Sequence, residues 1–190
     1  MTVHPPTELG EANVWDYDLD PDLRAELVRS RARLLGDRAR HYSIAGFTHL
    51  GLLNVHLGEE EDGNALLLEA LDAARNTGQL PGYNDVVRVD AAGWVQRGIA
   101  PLAWQSLYRV VVAVDEGPQQ RMHTFLLAAE AARLGGDLDC EVAHRVAAVK
   151  LLGEVPDGDR APYSRLIAAS TSHLARLEPQ LAATLGDRGK

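Results

Sequence analysis

A chain of 190 residues, 46% hydrophobic and 24% charged, has the composition of an ordinary soluble globular protein and enough length to bury a core. Its formal net charge of -8 argues against a general nucleic-acid binder, which needs a basic surface, while leaving room for a local basic patch. The single cysteine, Cys140, cannot close an internal disulfide, and no stretch approaches the roughly 18 uninterrupted apolar residues of a membrane span.

In chain order, residues 1–19 read as an acidic N-terminal arm broken by Pro5, Pro6 and Gly10, with Trp15 and Leu19 able to dock on a helix. Pro5 and Pro6 stand where a signal peptide would pass from basic to apolar residues, so a cytoplasmic location is the expectation. Asp20-Pro21 supplies an N-cap and a first-turn proline for a helix that ends at Gly36. A second helix is expected from Asp37 to Leu57, closed by Gly58, and a third from Glu60 to Thr77, closed by Gly78. Gln79–Tyr83 reads as a connector, then a helix from Asn84 to Gln96 ends at Gly98. Pro101 opens a helix expected to run to Asp115, although its VVVAV run at 110–114 also fits a strand. Helices over Pro118–Leu134 and from Asp137 or Asp139 to Leu152 follow, separated by Gly135-Gly136. The first of these is apolar nearly all round, which predicts a buried position. After a polar turn over Gly153–Ala161, a last helix starts at Pro162, with Pro179 expected to kink it or end it near Glu178. About eight helices with short connections predict an all-α fold of antiparallel neighbours, one domain over 20–185 and a frayed tail at 186–190.

The turn glycines Gly58, Gly98 and Gly135 each close one helix and precede another. Around the first, Phe47, Leu50-Gly51, Gly58, Gly63, Leu67 and Ala70 put an aromatic, small residues and a large apolar residue at fixed intervals. That pattern resembles a tetratricopeptide repeat, with weaker copies at Val87, Ala91, Trp94, Gly98, Ala103 and Leu107, and at Leu127, Ala128, Ala131, Gly135, Cys140 and Ala147. The resemblance covers residues 44–152, and both intervals exceed the family's period of about 34 residues, so elongated repeats or another helical bundle are both open. The resemblance implies a short α-solenoid of stacked helical hairpins that binds a protein or peptide partner in a concave groove, without catalysis or cofactor. Family groove positions map onto Thr48, Leu52, Val55 and His56, onto Asp85, Arg88, Ala92 and Gln96, and onto Phe125, Ala129 and Arg133. These could equally be solvated residues, or be covered by the N-terminal arm.

No sequence motif builds a catalytic or metal site by itself. His49 and His56 are two helical turns apart with leucines between them, which makes one a packing residue and leaves His56 as the groove residue. Glu141-x2-His144 has the spacing of one ligand pair in a di-metal helical bundle, with Cys140 beside it, and a helical-bundle metal protein or enzyme is the alternative it motivates. Arg24, Arg29, Arg31, Arg33, Arg38 and Arg40 form a cluster, with Arg24, Arg31 and Arg38 on one stripe. It motivates a nucleic-acid-touching regulatory module, against which stands neutralisation by the chain's own carboxylates. The apolar stripe Leu174–Leu181 motivates a homodimer.

Overall fold

The computed structural model describes residues 17–37, 42–110 and 116–187. Most of the acidic arm, the arginines Arg38 and Arg40, the VVAVD stretch at 111–115 and the last three residues lie outside the described residues. Among the described residues there are eight α-helices, one 3-10 turn and no strand, so the fold is all-α. The chain divides into two compact units, Met1–Ala113 and Val114–Lys190.

The first unit holds α1 (Pro21–Gly36), α2 (Ile44–His56), α3 (Glu60–Thr77), α4 (Leu80–Gln96) and α5 (Ala100–Leu107). Its boundaries follow from capping. The Asp20 carboxylate accepts from the backbone N–H of Asp22 at 2.7 Å and of Leu23 at 3.4 Å, which satisfies donors that the first turn of α1 leaves without partners. Gly58, Gly78 and Gly98 all take positive φ, at a constant 20-residue interval, and turn the chain after α2, α3 and α4. Three or fewer residues therefore separate each of these helices from the next, which makes neighbours antiparallel.

The α2–α3 hairpin is the tightest joint. A Cβ on Gly51 would lie 2.9 Å from the Gly63 carbonyl oxygen, and one on Gly63 would lie 2.8 Å from the Gly51 carbonyl oxygen and from the Val55 nitrogen. Backbone thus meets backbone there, which only glycine permits. Below this joint Leu52 and Val55 of α2 pack with Leu67, Ala70 and Ala74 of α3 and with Tyr83 and Val87 of α4. On α3 the buried residues Gly63, Leu67, Ala70 and Ala74 fall at i, i+4, i+7 and i+11, leaving Leu68 exposed on the far side.

The second unit holds α6 (Pro118–Gly135), α7 (Leu138–Leu152), the 3-10 turn Asp157–Asp159 and α8 (Ala161–Asp187). Asp137 caps α7 by accepting from the Cys140 N–H at 2.9 Å. Met122, Ala148 and Leu151 form its core, with Phe125, Leu126, Val149, Leu152 and Tyr163 packed around them. The expected burial of α6 is seen at Leu127, Ala128, Ala129, Ala131 and Ala132.

Several expected boundaries move. The second helix starts at Ile44 rather than Asp37, because the Ser43 hydroxyl accepts from the Gly46 N–H at 2.9 Å and fixes the first turn there. The connector at Gln79–Tyr83 shrinks to Gly78 and Gln79: Pro81 sits in the first turn of α4, where its missing N–H costs nothing, and Tyr83 is already a core residue. The helix opened by Pro101 stops at Leu107, and Tyr108–Val110 leave it, in line with the poor helix propensity of the β-branched run. Gly136, not Gly135, takes the left-handed turn after α6. The last helix, expected to kink at Pro179 or end near Glu178, does not end there and continues to Asp187.

Candidate functional site

Helices α1, α2 and α4 enclose a cleft of about 560 Å³. From α2 it takes Ala45, His49 and Leu53, one stripe at i, i+4 and i+8. From α4 it takes Val86, Val89, Asp90 and Gly93 at helical spacing, with Asp85 at one end. Glu26 and Leu27 close it from α1, and Trp94 and Arg97 close it at the end of α4. Leu27, Leu53 and Trp94 are buried and form the floor, while Val89 keeps 72% of its surface in water.

Two ion pairs frame the cleft. Arg97 donates both Nη groups to Glu26, at 2.6 and 3.2 Å, while its guanidinium lies 5.3 Å from the centre of the Trp94 ring. The Arg97 hydrogen bonds hold the Glu26 carboxyl below the usual carboxylate range. At the other end Arg88 donates to Asp85 at 2.8 Å from a buried position.

A buried polar network lies against the cleft at Asp90. Its Oδ2 accepts from Ser106 Oγ at 2.6 Å, from Trp94 Nε1 at 2.9 Å and from His56 Nε2 at 2.8 Å. Trp94 Nε1 also stands 3.0 Å from His56 Nε2, but two N–H donors do not bond each other, so the indole bond goes to the carboxylate. The Gln105 side chain meets the other ring nitrogen of His56 at 2.9 Å. Burial would raise the Asp90 carboxyl, but the hydrogen bond and attraction of His56, with the bonds from Ser106 and Trp94, outweigh it and hold the group below the usual range. Ser106, His56 and Asp90 have the composition of a hydrolase triad without its wiring. Serine and aspartate share one ring nitrogen instead of taking opposite ones, and Ser106 has no exposed surface. What the network does is tie α2, α4 and α5 together.

The expected groove residues divide. Thr48 and Leu52 have no exposed surface, and His56 and Arg88 keep 3% each, so these four sit in the interior rather than on an open groove wall. Gln96 is exposed at the end of α4. In the second unit Phe125 packs on the core and lies 5.8 Å from the His144 ring, and Arg133 is exposed and donates to Glu130 at 2.8 Å. The roles of the two histidines are exchanged: His56 packs inside and His49 is exposed in the cleft. The expected stripes on α2 and α4 run one residue out of phase with the observed ones, a rotation of about 100° on a helix. The signal that points to the observed face is the pairing of Asp90 with Trp94 at i, i+4.

The other candidate constellations are spent on the chain itself. Arg24 donates to the Leu57 carbonyl at 3.4 Å, and Arg31 donates to Asn54 at 3.3 Å and pairs with Glu59. Both cations meet the C-terminal end of α2, which its dipole favours, so the stripe joins α1 to α2. Glu141 and His144 do not converge. The Glu141 carboxylate accepts from Arg145 at 2.9 Å and meets His173 Nε2 at 2.7 Å, while His144 lies beside Phe125. Among the described residues no three metal-ligating side chains come together. Arg145 also bonds Ser170 at 3.2 Å and pairs with Glu130, whose carboxyl would be raised by burial but is held low by Arg133 and Arg145. Burial and the nearby Asp137 push the Cys140 thiol up to about 12, and Leu177 of the apolar stripe on α8 is buried. Among the described residues no helix is long and apolar enough to cross a membrane.

No family model matches the chain, and no solved structure matches it. The chain is similar to serine–tRNA ligases: 30% identical over 181 residues to that of Stenotrophomonas maltophilia K279a, and 29% identical over 181 residues to those of Xanthomonas campestris pv. campestris B100 and Xanthomonas euvesicatoria pv. vesicatoria 85-10. In each case 90% of this chain and 41% of the ligase are covered, so the chain spans well under half the length of the curated relatives it matches.

Proposed function

We propose that this chain is a non-enzymatic helical-repeat protein of tetratricopeptide type that holds a segment of a partner protein in the cleft between α1, α2 and α4. The observation that carries the reading is the cleft, with its apolar floor, charged ends and exposed Val89. Two further features support it. The glycine-to-glycine joint of α2 and α3 matches the small-residue packing that the repeat needs, and the Ser106–His56–Asp90 cluster presents no nucleophile. Site-specific photocrosslinking tests the reading. A photoreactive residue at position 89 should form protein adducts in cells, and the same residue at position 68, on the exposed far side of α3, should not. Equal labelling from both positions, or none from position 89, would rule the cleft out.

A second reading, contact with tRNA, is supported by the similarity to serine–tRNA ligases. Arg29 and Arg33 of α1 are exposed cations on which it would draw. On this reading filter retention of total tRNA should fall steeply with salt and weaken in an Arg29→Glu/Arg33→Glu variant. Failure to retain tRNA at low salt removes the reading.

A further inference from the structure

We infer that the acidic N-terminal arm, residues 1–16 of the same chain, lies along the arginine face of α1 formed by Arg29 and Arg33. Glu26, Arg29 and Arg33 fall at i, i+3 and i+7, one stripe of α1, and Arg97 joins the stripe by forking onto Glu26. The Arg97 hydrogen bonds, with the charges of Arg97, Arg29 and Arg33, hold the Glu26 carboxyl below its usual range, so three cations share this one carboxylate. Arg33 also donates to the Ser30 hydroxyl at 3.2 Å, a neutral partner. Within one turn of Arg29 or Arg33 along α1 and its cap, the carboxylates are Glu26 and Asp37, so the face stays positive. Arg24 and Arg31 add nothing to it, because they turn to the Leu57 carbonyl and to Glu59. The arm carries the opposite sign and starts at the head of the same helix. Residues 1–16 hold no Lys or Arg but carry Glu8, Glu11 and Asp16. Leu19 is buried and Asp20 caps α1, which fixes the point where the arm leaves. From Asp20, Arg29 and Arg33 lie about 14 and 20 Å along the helix. A chain running back at about 3.3 Å per residue carries Glu11 up to about 30 Å and Glu8 up to about 40 Å, enough to turn and reach both. Attachment to the helix it contacts gives the arm an effective concentration on the order of mM, which an untethered polyanion has to match. The arm and tRNA would therefore compete for Arg29 and Arg33.

Zero-length carbodiimide coupling, which joins a carboxylate to a lysine amine, tests this. The chain has two native lysines, Lys150 and Lys190, so Arg29→Lys, Arg33→Lys and, as a control, Arg75→Lys each place one new amine on exposed helix surface. In the full chain at low salt, peptide mapping should find Glu8, Glu11 or Asp16 joined to position 29 or 33 about tenfold more often than to position 75. At about 1 M salt that excess should shrink several-fold. A circular-dichroism melt of each variant checks that the fold is kept. Equal coupling at all three positions, or none from the arm at 29 and 33, would overturn the inference. In a mixture of isotope-labelled and unlabelled chain, arm crosslinks should stay within one isotope, whereas mixed pairs would give the face to a second copy. Coupling that micromolar total tRNA abolishes would give the face to nucleic acid. Either of these two results would overturn the inference as well.

Discussion

Three donors from three residues converge on one oxygen of Asp90, and that convergence sets how the first unit answers to pH. The folded carboxyl is held below the ordinary aspartate value of 3.8, so the unfolded chain takes up the proton first as pH falls. The stabilisation is therefore complete above the unfolded value and is lost as pH drops through the folded one. Asp90→Asn should flatten the acid limb of urea-unfolding free energy below about pH 4. At pH 7 it should cost about 1–3 kcal/mol, because a neutral amide oxygen replaces the charged acceptor that the three donors share. Acid limbs of equal slope in the two proteins would show that the network does not carry the effect. Cys140 gives a second test at this scale. A thiol pushed up to about 12 and buried in α7 should resist iodoacetamide at pH 8 in the folded protein and react once urea unfolds it. Fast labelling of the native chain would contradict the burial.

At the scale of the helix, glycines with opposite surroundings make opposite predictions. Gly63 has backbone atoms of α2 where its Cβ would go, so Gly63→Ala must push α2 and α3 apart. It should cost about 1–3 kcal/mol, more than the ~1 kcal/mol that alanine returns in helix propensity. Gly93 faces the open cleft with nothing near the added methyl, so Gly93→Ala should stabilise by about 0.5–1 kcal/mol. Urea midpoints that move the same way in both variants would discount the close approach. These positions also mark what was legible in the sequence. Helix ends were, because caps and turn glycines act locally: Asp20, Gly58, Gly78 and Gly98 do what their residue types imply. The cleft was not, because a helix face is set by what packs on it. Thr48 and Leu52 are a single residue from the observed stripe, and only the burial of His56 against Asp90 and Gln105 decides the rotation. Glu141-x2-His144 fails for the same reason, since Arg145 and His173, a turn and a helix away, claim the carboxylate.

At the scale of the whole chain, the division falls in the β-branched run after α5, a few residues before Gly117-Pro118 punctuate the sequence. Each side carries its own apolar cluster, and each has a buried charge network closed within itself: His56, Asp90, Trp94 and Ser106 in the first, Glu130, Glu141, Arg145, Ser170 and His173 in the second. The first unit also contains every residue that lines the cleft. A fragment of residues 1–113 should therefore fold by itself, with a cooperative urea transition. The second unit is shorter, and a domain of that size is stable by a few kcal/mol at most. Its network also depends on the Glu130 carboxyl being held below its ordinary range, so a fragment of residues 114–190 should unfold at lower urea and lose structure early as pH falls. Circular dichroism of the two fragments across urea and pH checks both halves of the prediction. A non-cooperative or unfolded 1–113 fragment would show that the first core does not suffice, and that the cleft needs the rest of the chain to form.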